Sequence, residues 1–305
     1  MTDQQRQPDS EPAGSQSRSS GAFADGAPLP PFSPQMLRHQ LRVDLALRLM
    51  IVAGVVAILA ITFDFDDNGS LLSLLAIFLA VFVWIYLNNL SARASSQLPH
   101  ITAMIDSDPP AAEHALAEQL RRRPLLRWIR LMLYHRLAML RHRQHRFAES
   151  AAICHTLLMY PTGPGRDSRA QLLLMLTESR LECRDVLGAY FALQSLHETR
   201  LSLVEHLQRL TLQTRYEVTI GADRAALRAA HQKIQLVELL PAPQCGAVHA
   251  MLATAARRAD QQNLARWLWQ RVELLCTPEQ VRRLQQGGFG VGVVQTPQRQ
   301  PAGFQ

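Results

Sequence analysis

The chain of 305 residues carries a net charge of +7, and 48% of its residues are hydrophobic. Its four cysteines lie far apart and form no CxxC pair, which excludes a zinc ribbon and a dithiol redox motif. The basic side is almost all arginine, with 31 arginines and the single lysine Lys233, so codon bias explains most of them and composition alone assigns them no chemistry.

The first 34 residues are rich in Ser, Gln, Pro, Gly and Asp and hold few large apolar side chains. Such a segment buries too little surface to offset chain entropy, and we expect a disordered tail over residues 1–34. Its PLPPFSP stretch, Pro28 to Pro34, is either a spacer or a polyproline ligand.

Two apolar runs without a charged residue follow, Leu49 to Phe63 and Leu71 to Leu87, separated by the polar break Asp64 to Ser70. A bilayer core takes a helix of about 17 to 25 residues, which the second run supplies alone and the first supplies with Leu45 to Arg48 included. The pattern predicts a transmembrane helical hairpin over residues 35–90. No cleavable signal peptide is visible, because the first run begins more than 40 residues in.

The charges around these runs predict their orientation. The break carries Asp64, Asp66 and Asp67 and no positive charge, whereas arginines such as Arg48 and Arg93 flank the two runs on their other sides. Short segments rich in Lys and Arg remain cytoplasmic. We therefore expect an integral protein of the inner or cytoplasmic membrane, with two spans and both termini in the cytoplasm.

Beyond a linker over residues 91–108, apolar residues recur every three to four positions, which predicts an all-α domain over residues 109–286. Asp108 and Pro109 indicate a capped helix start. Residues 287–305 are expected to be a disordered tail. The first predicted helix begins at Pro109 and ends at about Arg123. The others are Leu125–Arg143, Phe147–Tyr160, Arg169–Cys183, Val186–His197, Ser202–Thr219, Arg224–Leu239, Ala247–Arg258 and Asn263–Cys276.

The helices are predicted to form hairpins, and the second helix of each hairpin repeats one spacing, i, i+3, i+7 and i+10. Small residues recur at the second place, where two helices must cross closely. The sets are Phe147, Ser150, Cys154, Leu157; Val186, Ala189, Leu193, Leu196; Ala226, Ala229, Lys233, Leu236; and Gln262, Ala265, Trp269, Val272. The residues expected to pack the repeats are Phe147, Ser150, Ala189, Ala229, Ala265 and Trp269.

This pattern resembles the tetratricopeptide (TPR) repeat family. The resemblance rests on Leu137-Ala138, followed by Arg146 to Ser150 and closed by Pro161, and on Leu252-Ala253 with Ala265 in the last pair. It covers residues 109 to 280, Tyr216-Glu217 departs from it, and the repeat spacing exceeds the usual 34 residues. The resemblance implies an α-solenoid whose concave face binds protein segments. A non-repeating helical bundle is the open alternative.

The segment Arg121 to Arg146 is the outstanding charge feature, with nine arginines, three histidines and no acidic residue. One interpretation is a solvated helix face. Another is contact with anionic lipid headgroups, each basic side chain near the surface being worth about 1 kcal/mol. Nucleic acid is less favoured, because stacking aromatics are few. The candidate lipid or anion contacts are Arg121, Arg122, Arg123, Arg127, Arg130, Arg136, Arg141, Arg143 and Arg146.

No motif for catalysis, metal or cofactor binding stands out. His135, His142 and His145 share a helix side, but no acid or thiolate joins them and neighbouring arginines repel a cation. Gly163 to Arg166 lacks the spacing of a phosphate loop, the glycines from Gly287 to Gly292 follow no strand, and no GxSxG occurs. We expect a non-catalytic scaffold or adaptor at the membrane, without cofactor or metal. The alternative is a subunit of a membrane enzyme or transporter complex.

Overall fold

The computed structural model describes residues 96–121, 127–160, 167–287 and 289, together with single helical positions between residues 35 and 89. The fold is all-α, as predicted, and no strand occurs among the described residues. Across that same part of the chain, no helix combines the length and apolar character needed to cross a bilayer. The predicted tail over residues 1–34, the predicted tail over residues 287–305 except Gly287 and Phe289, and most of both apolar runs lie outside the described residues.

Twelve helical segments follow one another from residue 96 to residue 285 in the described part. They are α1 (96–107), α2 (Pro109–Arg121), α3 (Arg127–Arg143), α4 (Phe147–Leu158), α5 (Asp167–Glu182), α6 (Val186–His197), α7 (Leu203–Thr219), α8 (Asp223–Leu227), α9 (Ala230–Val237), α10 (Ala242–Arg258), α11 (Gln262–Leu275) and α12 (Pro278–Gln285).

Side-chain caps fix several of the helix starts. The carboxylate of Asp108 accepts a hydrogen bond from the Ala111 N–H at 3.2 Å, which satisfies a free donor of the first turn of α2. Ser202 and Glu205 form a reciprocal capping box at the start of α7. These capped starts, and the bounds of α6, agree with the sequence-based expectation to within a residue.

One turn recurs four times, each time as a three-residue connection between two helices. Its central residue has a left-handed backbone: His145, Arg184, Gly221 and Asp260, with φ between 58° and 72°. The residue that follows donates its N–H to the carbonyl five positions back, for example Arg146 to Arg141 at 2.8 Å and Gln261 to Ala256 at 2.8 Å. This is the Schellman end of a helix. We call these connections the αL turns.

The αL turns join four helix pairs: α3 with α4, α5 with α6, α7 with α8, and α10 with α11. Each pair packs mainly on itself and on the next pair along the chain, through contacts such as α4 with α5, α6 with α7 and α8 with α10. The first helices of successive pairs also contact one another: α3 with α5, α5 with α7, and α7 with α10. Three clusters of buried apolar side chains follow one another along this order.

The prediction of one continuous helix over Arg224–Leu239 was wrong. Arg228 is extended and Ala229 has a left-handed backbone with φ 54°, so the segment divides into α8 and α9. Ala229 is exposed and packs at no helix crossing. Counted from the αL turn, the buried small residue of this pair is Ala226, three positions before the predicted one.

Candidate functional surfaces

The arginine-rich helix α3 does not present its charges on one face. Arg130 and Arg141 are almost fully buried, whereas Arg121 and Arg127 are exposed. Arg122 and Arg123 lie outside the described residues. The prediction that all nine arginines contact lipid was therefore wrong for Arg130 and Arg141, because a side chain enclosed by protein cannot reach a headgroup.

Arg141 is the centre of an ionic network beside the αL turn at His145. Its guanidinium is 2% exposed and lies 2.9 Å from the Glu113 carboxylate of α2 and 3.3 Å from the Glu149 carboxylate of α4. It also donates to Gln144, whose amide donates in turn to Glu113. Burial alone raises the pKa of Glu113, but the hydrogen bonds from Gln144 and Arg141 outweigh it and leave that pKa below its ordinary value.

Two further predicted arginines near this turn pair with acids, whereas Arg136, in the middle of α3, does not. Arg143 contacts Asp106 of α1 at 3.0 Å, and Arg146 forms a salt bridge with Glu149. Arg136 is half-buried and donates to the sulfur of Met139, and burial lowers its pKa. Arg143 thus joins α3 to α1, whereas the contacts of Arg146 and Arg136 are local, to the first turn of α4 and within α3.

A Ser–His–Glu constellation, which sequence spacing did not indicate, links α3 to α5. The Nδ1 atom of His142 lies 3.1 Å from the Ser179 hydroxyl, and its Nε2 atom lies 3.4 Å from the Glu178 carboxylate. Ser179 is fully buried and also donates to Ser150, while Phe147 packs edge-on against the imidazole at 5.1 Å. A nucleophile must reach its substrate. This buried hydroxyl cannot, and the constellation is a polar tie between helices.

A surface groove of about 480 Å³ lies between α4 and the αL turn at Arg184. Its lining residues are Ala148, Ala151, Ala152, His155, Thr156, Arg180, Cys183 and Asp185. The charged groups of the rim satisfy one another, since Arg180 donates to the Gly188 carbonyl at 2.7 Å and lies 3.8 Å from the Asp185 carboxylate. The groove thus offers small apolar surface rather than a converging set of free polar groups.

The cysteines are not activated nucleophiles. Burial raises the pKa of Cys154 to about 12 and that of Cys245 to about 11, and it also raises the pKa of the exposed Cys183, with help from Asp185 and Glu182. A thiol with a raised pKa stays protonated near neutral pH and reacts slowly. Within the described ranges no group of three His, Cys, Asp or Glu side chains is placed to hold a metal ion.

Four matched pairs of small residues lie at the helix crossings of the four helix pairs. The members of each pair lie twelve positions apart, seven before and five after the central residue of the αL turn: Ala138 and Ser150, Thr177 and Ala189, Thr214 and Ala226, Ala253 and Ala265. All eight are buried, and the Ser150 hydroxyl donates to the Ala138 carbonyl at 3.0 Å. Of the other predicted packing residues, Phe147 and Trp269 are half-buried.

The outer face of α6 carries an exposed apolar cluster. Leu187, Tyr190 and Phe191 occupy positions i, i+3 and i+4 of this helix, and all three are exposed. The Tyr190 ring lies 5.7 Å from that of Phe191 and 6.2 Å from that of Tyr216 on α7. We call Leu187, Tyr190 and Phe191 the α6 face. Exposed apolar groups gathered in this way are typical of protein-binding surfaces.

No protein-family model, curated protein or solved structure is significantly similar to this chain.

Proposed function

We propose that the protein is a membrane-anchored, TPR-like helical-repeat adaptor that binds another protein on the cytoplasmic side of the membrane. Anchoring rests on the two uncharged apolar runs, Leu49 to Phe63 and Leu71 to Leu87, whose length and separation suit a membrane hairpin. Wherever the structure describes positions inside these runs, they are helical and exposed, for example Leu49, Met50, Phe78 and Phe82. Exposed apolar side chains on helices favour lipid as their surroundings.

The recurring turns and crossings support the TPR-like part of the proposal. Four αL turns, centred at residues 145, 184, 221 and 260, each stand between two small buried residues. A pair of small residues at a fixed distance allows two helices to approach closely, and recurrence of the same pair is expected of stacked helical repeats. The packing of each helix pair on the next agrees with such a stack.

The exposed apolar α6 face is the main support for a role in binding another protein. Aromatic residues are enriched at the centres of protein interfaces, where they supply large buried area at low entropic cost. Leu187, Tyr190 and Phe191 provide this composition on one exposed helix side. The occupant we propose is an apolar segment of a second protein.

Site-specific photo-cross-linking in membranes tests this assignment. A benzophenone amino acid replaces Phe191 in the full chain, and the matched control replaces Leu274, a more exposed apolar residue on α11. We expect one discrete cross-linked adduct from position 191 that Tyr190→Ser weakens, and none from position 274. Equal adducts at both positions, or an adduct insensitive to Tyr190→Ser, would contradict a binding surface on α6.

A further inference from the structure

The first five helices share two well-defined ends. At one end lie Asp108 and the αL turns at His145 and Arg184, held together by contacts such as Arg143 with Asp106 and Ser179 with Ser150. At the opposite end Gln119, near the finish of α2, donates to Gln97, near the start of α1. There too the Arg127 guanidinium at the start of α3 lies 5.3 Å from the Tyr160 ring that follows α4. We call this second end the entry end, because the chain enters α1 there.

The entry end is close to the predicted membrane span. Residue 96, where α1 is first described, follows Leu87 by nine positions, and nine residues reach at most about 30 Å even when fully extended. The helices that start or finish at the entry end are therefore held near the bilayer surface if the apolar runs span it. The network around Arg141 lies at the other end.

The exposed residues of the entry end have the composition of a membrane-interface contact. Arg121 ends α2, Arg127 and Trp128 begin α3, Met159 follows α4, and Arg169 lies in the first turn of α5. All five are exposed, Trp128 at 43% and Met159 at 61%. Tryptophan is enriched at bilayer interfaces, and arginine is attracted to anionic headgroups.

We propose that Arg121, Arg127, Trp128, Met159 and Arg169 rest on the anionic headgroup layer of the membrane, so that the helical domain stands on its entry end. This inference rests on the proposed membrane anchor. The contact surface is smaller than the nine arginines of the Arg121 to Arg146 segment, because only the exposed residues at the entry end can reach the headgroups. The domain then keeps a fixed orientation, with the αL turns at His145 and Arg184 pointing away from the lipid.

Depth-dependent fluorescence quenching tests the contact with the full chain in vesicles. Two single-tryptophan proteins are compared, one keeping Trp128 and one keeping Trp267, with the other tryptophans, including Trp84 and Trp269, replaced by Phe. Trp267 is the matched control, because it is 42% exposed but lies on α11 in the last helix pair. The vesicles contain phosphatidylcholine brominated near the headgroup, with or without phosphatidylglycerol.

The expected result is quenching of Trp128 at least threefold greater than that of Trp267, lost when phosphatidylglycerol is omitted or when Arg121, Arg127 and Arg169 are changed to Gln. Provided that the protein still floats with the vesicles, three results would overturn the inference. They are equal quenching of both tryptophans, no quenching of Trp128, and quenching that does not depend on lipid charge. Failure to float would instead remove the anchor, and this inference with it.

A second readout covers the case in which replacement of the half-buried Trp269 unfolds the domain. A photo-cross-linking residue at position 128 or 267 of otherwise unchanged protein should attach labelled phosphatidylglycerol from position 128 alone. Attachment from 267 alone, or from neither position, would reject the contact.

Discussion

The Arg141 guanidinium lies 2.9 Å from the Glu113 carboxylate, and it is one of the most deeply buried side chains of the described structure. A charge withdrawn from water must be compensated by partners, here Glu113 and Glu149. Because these partners come from α2 and α4, the arginine joins helices that precede and follow its own.

Removal of both carboxylates that pair with Arg141 should destabilise the fold. We expect Glu113→Ala combined with Glu149→Ala to lower the free energy of unfolding by about 3 to 5 kcal/mol, since an unpaired guanidinium would remain in the interior. Arg146→Ala, which removes an exposed partner of the same Glu149, should cost no more than about 1 kcal/mol. Denaturant unfolding of the detergent-solubilised chain measures both. Equal losses would mean that Arg141 reaches water.

His135 should make the domain less stable in mild acid. Burial, and then the charge of Arg136, lower its pKa to about 4. Between about pH 6.5 and pH 4 the unfolded chain therefore binds the proton more readily than the folded one. The neutral imidazole's contribution is complete above pH 6.5 and is lost as pH falls toward 4, by roughly 3 kcal/mol.

The measurement is the denaturant midpoint of the full chain across that pH window. His135→Leu should reduce the dependence, with a part left to the buried His249, whose pKa burial also lowers. His155→Leu, which removes an exposed imidazole from α4, should leave the dependence in place. A slope that His135→Leu leaves unchanged would assign the acid sensitivity to another group.

Ala226 and Ala229 allow a direct test of the repeat register. Ala226 is fully buried and Ala229 is exposed, three positions apart. Ala226→Glu should lower the thermal midpoint strongly by burying an unpaired carboxylate, with a cost of several kcal/mol, while Ala229→Glu should change it little. The same ranking should appear in calorimetry and in circular dichroism. The reverse ranking would restore the register expected from the sequence.

Gly221 tests the energetics of the αL turns. It alone among the four central residues lacks a Cβ atom, and an added Cβ would meet nothing within 4 Å. Gly221→Ala should therefore cost about 1 kcal/mol through backbone strain alone, and Arg184→Gly at the equivalent position should gain about as much. Unfolding free energies of the two variants check this. A change of the same sign in both would show that the two turns are not equivalent.

Helix periodicity and capping predicted much of the fold, because both are local signals. The Asp108 cap and the bounds Val186–His197 needed no knowledge of tertiary contacts. The sequence does not indicate the division at Ala229. A left-handed backbone is usually occupied by glycine, and here the residue is alanine.

The site residues were harder to predict, because burial depends on distant segments. Arg141 shares a helix side with Tyr134, Leu137 and Ala138, a register that indicates the interior despite its charge. Its partners Glu113 and Glu149 lie outside the Arg121 to Arg146 segment, so counting acids within that segment concealed the pairing. The contact of His142 with Ser179 spans 37 positions and has no local signal.

Thiol labelling in intact cells tests whether the helical domain is anchored on the cytoplasmic side of the membrane. One protein keeps only the exposed Cys183, and another lacks all four native cysteines and carries Asn68→Cys in the polar break between the apolar runs. A membrane-impermeant maleimide should label position 68 in intact cells and Cys183 only after the membrane is permeabilised. Labelling of Cys183 in intact cells, with position 68 protected, would contradict a cytoplasmic location of the helical domain.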